Sequence, residues 1–270
     1  VGINKFTTST NNDTFDASIS GSLDTNDVLD GGDGSDTLSA SLGAESIRPT
    51  ISNIETINLT ATGNLTVDTR DITGTTAYSN ESSTANLTLN NVSNVPSLSL
   101  NSSGANNATL NFTDAAIVGG ADNLALNVNN VTTTTMTVTD GGGLTNELET
   151  ITINSSSLAS TIGTLTTAGV ETSTLAVTGD ANLTITNAVD ANITTINAAG
   201  FTGDLSVRAG TGATAAATVT GGAGGDTLTG GAGNDIITGN GGADILDGGT
   251  GGVDTLVGGE GNDIFTFAAG

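Results

Sequence analysis

Near its C-terminus the chain repeats itself every nine residues, and this constrains its fold more than any other feature. Gly221 to Thr229 reads GGAGGDTLT, Gly230 to Thr238 reads GGAGNDIIT, and Gly239 to Asp247 reads GNGGADILD. Gly248 to Val257 reads GGTGGVDTLV, one residue longer, and Gly258 to Thr266 reads GGEGNDIFT. The shared pattern is G-G-x-G-x-D-x-U-x, with U a large apolar residue; Asn240 departs from it at the second glycine. A fixed short period is the mark of a wound architecture. The first six residues must turn sharply, which glycine permits through positive φ and close backbone approach. The last three form one short strand.

Two such units make one coil of about 18 residues, so turns two repeats apart stack about 4.8 Å from each other. Asp226 is then expected over Asp244, Asp244 over Asp263, and Asp235 over Asp254. Stacked carboxylates repel unless a cation lies between them. Calcium takes about 6–8 oxygens, and two carboxylates with turn carbonyls supply that kind of shell. The expected ligands are Asp226, Asp235, Asp244, Asp254 and Asp263, with the carbonyls of Gly222, Gly224, Gly231, Gly233, Gly259 and Gly261. Leu228, Ile237, Leu246, Leu256 and Phe265 are expected to point inward. That core is thin, so folding and calcium binding should be coupled.

A lone copy, GGDGSDTLS, spans Gly31 to Ser39, and degenerate units surround Asp27 and Asp13. Asp36, Asp27 and Asp13 join the candidate calcium ligands. Segments 13–36 and 221–263 hold seven acidic residues each, half of the chain's 28, so negative charge gathers where the repeats are.

Four basic residues, Lys5, Arg48, Arg70 and Arg208, leave a net charge of −24. That balance excludes a nucleic-acid grip, which needs Lys and Arg against phosphate, and argues against docking on anionic lipid. With no Cys and no His, zinc, haem and the common nucleophile and general-base arrangements are absent. The remaining donors are hard oxygens, suited to calcium. No run reaches the ~20 apolar residues that span a bilayer, so no membrane insertion is expected. The sequence opens on Val1 with no signal-peptide pattern and reads as a partial or processed chain.

Between the acidic segments, short runs alternate apolar residues with Thr, Ser or Asn: NLTV at 64–67, NLTL at 86–89, SLSL at 97–100, NLALNV at 123–128 and TITI at 150–153. A period of two reads as half-buried strand. The fold class is all-β: a short-stranded β-solenoid or spiralling β-stack leading into a parallel β-roll, with a β-sandwich as the rival for 45–200. Weak helical patterns lie at Thr145–Glu149 and Ala159–Val170. The division expected is 1–45, an N-terminal calcium-binding segment; 46–219, a solenoid-like tract; and 220–270, the β-roll. Thr-rich runs such as Thr132–Thr139 read as strand surface rather than as an ice-binding ladder, because the Thr-x-Thr spacing is not expected to be sustained from rung to rung. Asp68, Asp71, Asp114, Asp122, Asp140, Glu147 and Glu149 read mostly as solvated surface or turn residues.

Residues 221–266 resemble the repeats-in-toxin (RTX) calcium-binding proteins. The resemblance implies a calcium-folded parallel β-roll and type I secretion, with a secretion signal beyond Gly270. Residues 13–60, with the GGDGSDTL unit and Asn53-Ile54-Glu55-Thr56-Ile57-Asn58-Leu59, are followed by Thr/Asn-rich strands and then tandem repeats. That order resembles RTX-exported S-layer proteins of the Caulobacter and Campylobacter type. It implies a non-enzymatic, extracellular surface protein that self-assembles into a homo-oligomeric lattice with several structural Ca2+ ions. Such a lattice is held to cell-surface polysaccharide by a region other than these residues. A segment of a large RTX adhesin or biofilm-matrix protein is the alternative. An enzyme's RTX appendage, or a solenoid lyase or epimerase working through the four basic residues, is disfavoured by their isolation.

Overall fold

The computed structural model describes residues 5–7, 10–19, 21–102, 104, 106–140, 148–167, 172–210 and 216–267. The chain winds into a parallel β-solenoid of about 11 turns. One 12-stranded sheet takes a strand from each turn, from Thr14–Ala17 to Thr255–Glu260; an 11-stranded sheet runs beside it, from Glu45–Ile47 to Ile264–Thr266. Both sheets cross position 219 without interruption, and the first also crosses position 45. A four-stranded sheet, Lys5–Thr7, Val28–Asp30, Thr50–Ser52 and Ile72–Thr73, adds a third side to the first coils only. Every strand pairs in parallel with the strand one coil away, which leaves each coil to close through turns rather than hairpins.

Alternation places the side chains. In Ser97–Asn101 the leucines are buried and the serines half-exposed. Register then stacks like on like. Leu38, Ile57, Tyr78, Leu98, Leu126, Ile153 and Val177 form one inward column, and Leu65, Leu87, Ala108, Met136 and Leu165 face it from the other sheet. Each Leu, Ile, Val or Met of these columns, fully buried, stabilises the coil by about 1.5–3 kcal/mol. At the roll's U positions Leu228, Ile237 and Leu246 are buried, and Leu256 is partly buried against the core. Phe265, in the edge strand of the 11-stranded sheet, is 41% exposed.

The outward face is laddered by neutral amides and hydroxyls. Asn58 donates to Ser39 (3.3 Å), Asn127 to Ser99 (3.3 Å) and Asn154 to Asn127 (3.4 Å). Thr66, Thr88, Thr109, Thr137 and Thr166 stack in a single column, a regularity that linear spacing hides because the coils differ in length. Asn53, Asn91 and Asn130 carry the chain through positive φ, which Asn tolerates better than most residues.

The helical pattern at Ala159–Val170 is overturned: Ser160–Thr166 is a strand. Gly163 and Thr164 both face outward, which puts Ile162 and Leu165 three apart and imitates a helical period. Of Thr145–Glu149 only Leu148 and Glu149 lie among the described residues, and they lead into strand Thr150–Ser155. Glu147 and the side chain of Asp140 lie outside the described residues.

Candidate metal centre

The glycine turns bring the repeat carboxylates into columns. Pairing of Thr227 with Ile245, and of Ile245 with Ile264, stacks Asp226, Asp244 and Asp263. On the opposite side Asp235 stacks with Asp254. Each carboxylate reaches back one coil. Asp244 Oδ1 accepts the Asp226 N–H (2.8 Å), Asp263 Oδ1 that of Asp244 (3.1 Å), and Asp254 Oδ1 that of Asp235 (2.9 Å). The spacing is 18 or 19 residues, the coil length set by two nonapeptides.

The second carboxylate oxygen, Oδ2, turns toward the first glycine of its own repeat. A Cβ on Gly239 would sit 2.0 Å from Asp244 Oδ2, and one on Gly258 2.1 Å from Asp263 Oδ2. Glycine is therefore required there by contact as well as by turn geometry. The repeats then divide. The N–H groups of Gly222 and Gly231 donate to Asp226 Oδ2 (2.6 Å) and Asp235 Oδ2 (2.7 Å). In the next repeat Asn240 adopts φ +77°, and Asp244 Oδ2 is buried without a hydrogen-bond partner. The N-terminal unit repeats this: Gly32 has φ +83°, its N–H donates to Asp30 (3.2 Å), and Asp36 Oδ2 is buried and unpartnered.

Asp36 belongs to a second column, Asp13, Asp36 and Glu55, set by pairing of Thr14 with Thr37 and Thr37 with Thr56. Asp13 N–H donates to Asp36 Oδ1 (2.6 Å) and Asp36 N–H to Glu55 Oε2 (2.7 Å). Asp13 Oδ2 is likewise buried and unpartnered. Asp27 is not brought into this column. It precedes a strand of the four-stranded sheet, and its Oδ2 accepts the Asp24 N–H (2.8 Å).

An ionised oxygen buried without a donor costs several kcal/mol unless something neutralises it. Burial pushes the Asp226 and Asp244 carboxyls above their ordinary value of 3.8; backbone N–H groups pull the other way, and neighbouring carboxylates add to the rise. A hard cation removes both penalties, so Asp13, Asp36 and Asp244 fit calcium best. No three carboxylates converge among the described residues, so backbone oxygens must complete any shell. The Gly222 carbonyl accepts the Gly241 N–H (3.1 Å) and that of Gly231 the Thr250 N–H (2.9 Å), each keeping a second lone pair. Those of Gly224 and Gly233 lie where a Cβ on Gly242 or Gly252 of the next coil would point, while Gly259 and Gly261 are at positive φ.

The described basic side chains, Arg48, Arg70 and Arg208, form no such centre, and the side chain of Lys5 lies outside the described residues. Arg48 pairs with Asp71 (2.7 Å) and Arg70 with Asp68, both at the surface; the Arg70 hydrogen bond holds Asp68 at about 2. Arg208 is exposed.

A sequence model described as the RTX calcium-binding nonapeptide repeat matches in 4 copies, over residues 23–47, 220–252 and 249–266. No match was found among curated proteins or among solved structures. The chain thus carries RTX repeats, which bind Ca2+ structurally and are found in secreted extracellular proteins.

Proposed function

We propose that the chain is a non-enzymatic structural segment of a bacterial surface layer, exported by type I secretion and folded outside the cell by calcium. Its ligands are Asp13, Asp36, Asp226, Asp235, Asp244, Asp254 and Asp263, with turn carbonyls; Asp27 lies outside these columns, its carbonyl accepting the Thr50 N–H of the next coil (3.0 Å). The observation that carries this reading is the placement of charge. Stacked aspartates at 13–36 and 226–263, with Asp36, Asp226, Asp235 and Asp244 buried, flank a solenoid tract whose outward face is laddered mainly by Asn, Thr and Ser. Calcium stiffens those two segments, and exposed carboxylates beside them, Asp16, Asp33 and Glu260, are available to share ions between protomers. A heterologous contact repeated by rotation generates rings or open assemblies. RTX β-rolls are typically structural or toxin-like rather than catalytic, which agrees.

Negative-stain imaging and sedimentation in millimolar calcium, then in chelator, test the reading. Ordered sheets or rings that dissolve on chelation support a coat attached to cell-surface polysaccharide. A calcium-folded monomer at every concentration moves the assignment to a segment of a large RTX adhesin or biofilm-matrix protein.

A further inference from the structure

We propose an additional calcium site in the middle of the solenoid, outside the matched repeats, held by Asp122 and Glu149 in adjacent coils. Pairing of Asn123 with Thr150 stacks these two carboxylates directly. Asp122 N–H donates to Glu149 Oε2 (2.6 Å), the contact that Asp36 makes to Glu55 and Asp226 to Asp244. The remaining oxygens, Asp122 Oδ2 and Glu149 Oε1, are buried and unpartnered, as are Asp13 Oδ2, Asp36 Oδ2 and Asp244 Oδ2. In the following coil Ser173 N–H donates to the Glu149 carbonyl (3.2 Å), and the adjacent Thr172 is fully buried with its Oγ1 unpartnered. Two carboxylate oxygens and a hydroxyl thus lack donors over three consecutive coils.

The local sequence agrees. Gly119-Gly120-Ala121-Asp122-Asn123-Leu124 repeats Gly241-Gly242-Ala243-Asp244-Ile245-Leu246 in all but one position. The turn backbones differ: Gly119 and Ala121 take positive φ (+140° and +134°), whereas in the roll it is Gly242, aligned with Gly120, that does (+107°). Ala121 is held where L-residues rarely sit, which local satisfaction of Glu149 by backbone N–H groups helps to offset. Glu149-Thr150-Ile151 shares its acid-Thr-apolar form with Asp36-Thr37-Leu38, Glu55-Thr56-Ile57, Asp226-Thr227-Leu228 and Asp254-Thr255-Leu256. In each case the acid precedes a strand and lies beside the neighbouring coil. The donor set is all hard oxygen in an adaptable turn, which suits calcium over the stricter octahedral demand of magnesium.

The test is calcium stoichiometry of the full chain by equilibrium dialysis, comparing the native sequence with Asp122→Asn/Glu149→Gln and separately with Asp244→Asn. The amides keep oxygen acceptors for the ladder and remove only charge. The expected result is about one calcium fewer per chain in the double variant, with the C-terminal roll still folding in calcium. Unchanged stoichiometry in the double variant, with loss in Asp244→Asn, overturns the central site and leaves the terminal reading standing. If the double variant does not fold, hydrogen exchange of the native chain decides. Calcium-dependent protection at 119–129 and 148–155, beyond that at 56–101, supports the site, and equal behaviour of the two segments overturns it.

Discussion

The central coils and the C-terminal roll share one ladder of parallel strands, yet they are stabilised by different means. Near Val131 and Ser160 a coil takes 29 residues, encloses leucines, isoleucines and valines from both sheets, and presents Asn, Thr and Ser outward. Beyond Gly221 a coil takes 18 or 19 residues, with one apolar side chain per strand in its core and carboxylates stacked at the turns. The longer coil buries enough surface to offset chain entropy. The shorter one stacks like charges over a thin core and needs a cation. A solenoid can therefore hold the same strand geometry with either an apolar or an ionic stabiliser.

The largest expected effect that separates the regions is metal removal. Chelation should unfold 221–266 cooperatively while 56–101 keeps its β-structure, as followed by hydrogen exchange or by limited proteolysis. If the whole chain melts together, the two regions form one cooperative unit.

Next come core truncations. Leu100→Ala removes a fully buried side chain and should cost about 2–5 kcal/mol in chelator and calcium alike, measured by urea denaturation. Leu246→Ala in the roll should be partly rescued by raising calcium, through mass action on the folded state.

Glycine substitutions sharpen the contrast. Gly239→Ala places a Cβ 2.0 Å from Asp244 Oδ2 and 2.6 Å from the Gly258 carbonyl, so it should cost about 1–3 kcal/mol or more and weaken calcium binding. Gly43→Ala meets nothing within 4 Å and has no positive φ, so it should be neutral or slightly stabilising, by up to about 1 kcal/mol.

The smallest effects are in pH and in the neutral ladder. The raised Asp226 and Asp244 carboxyls contribute stability to the metal-free roll below the ordinary value of 3.8. That contribution is lost as pH rises through their folded values. In chelator, mild acidification should therefore favour the roll, whereas in calcium acid should compete with the metal; a circular-dichroism titration in both buffers distinguishes the two. Asn154→Ala removes one half-exposed amide rung and should cost no more than about 1 kcal/mol, independent of pH and calcium.

Much of this was legible in the residues. Period-two runs gave strands, the nonapeptide gave the 18-residue coil, and the Asp226–Asp244–Asp263 column followed from that length. Features that depend on register across unequal coils were not legible. The Thr66–Thr166 column, the Glu55 rung and the Asp122–Glu149 pair involve residues 19 to 29 apart, with no constant period to connect them. The acid-Thr-apolar triplet was the available signal, since it marks where a turn enters a strand. The third side of the first coils came from strands of two or three residues, too short to show alternation.

The most direct test of the two-stabiliser account is hydrogen exchange on the full chain in millimolar calcium and in chelator. The account predicts strong protection of 227–260 that disappears without calcium, while 56–101 stays protected in both. Protection of 227–260 that persists in chelator would contradict it.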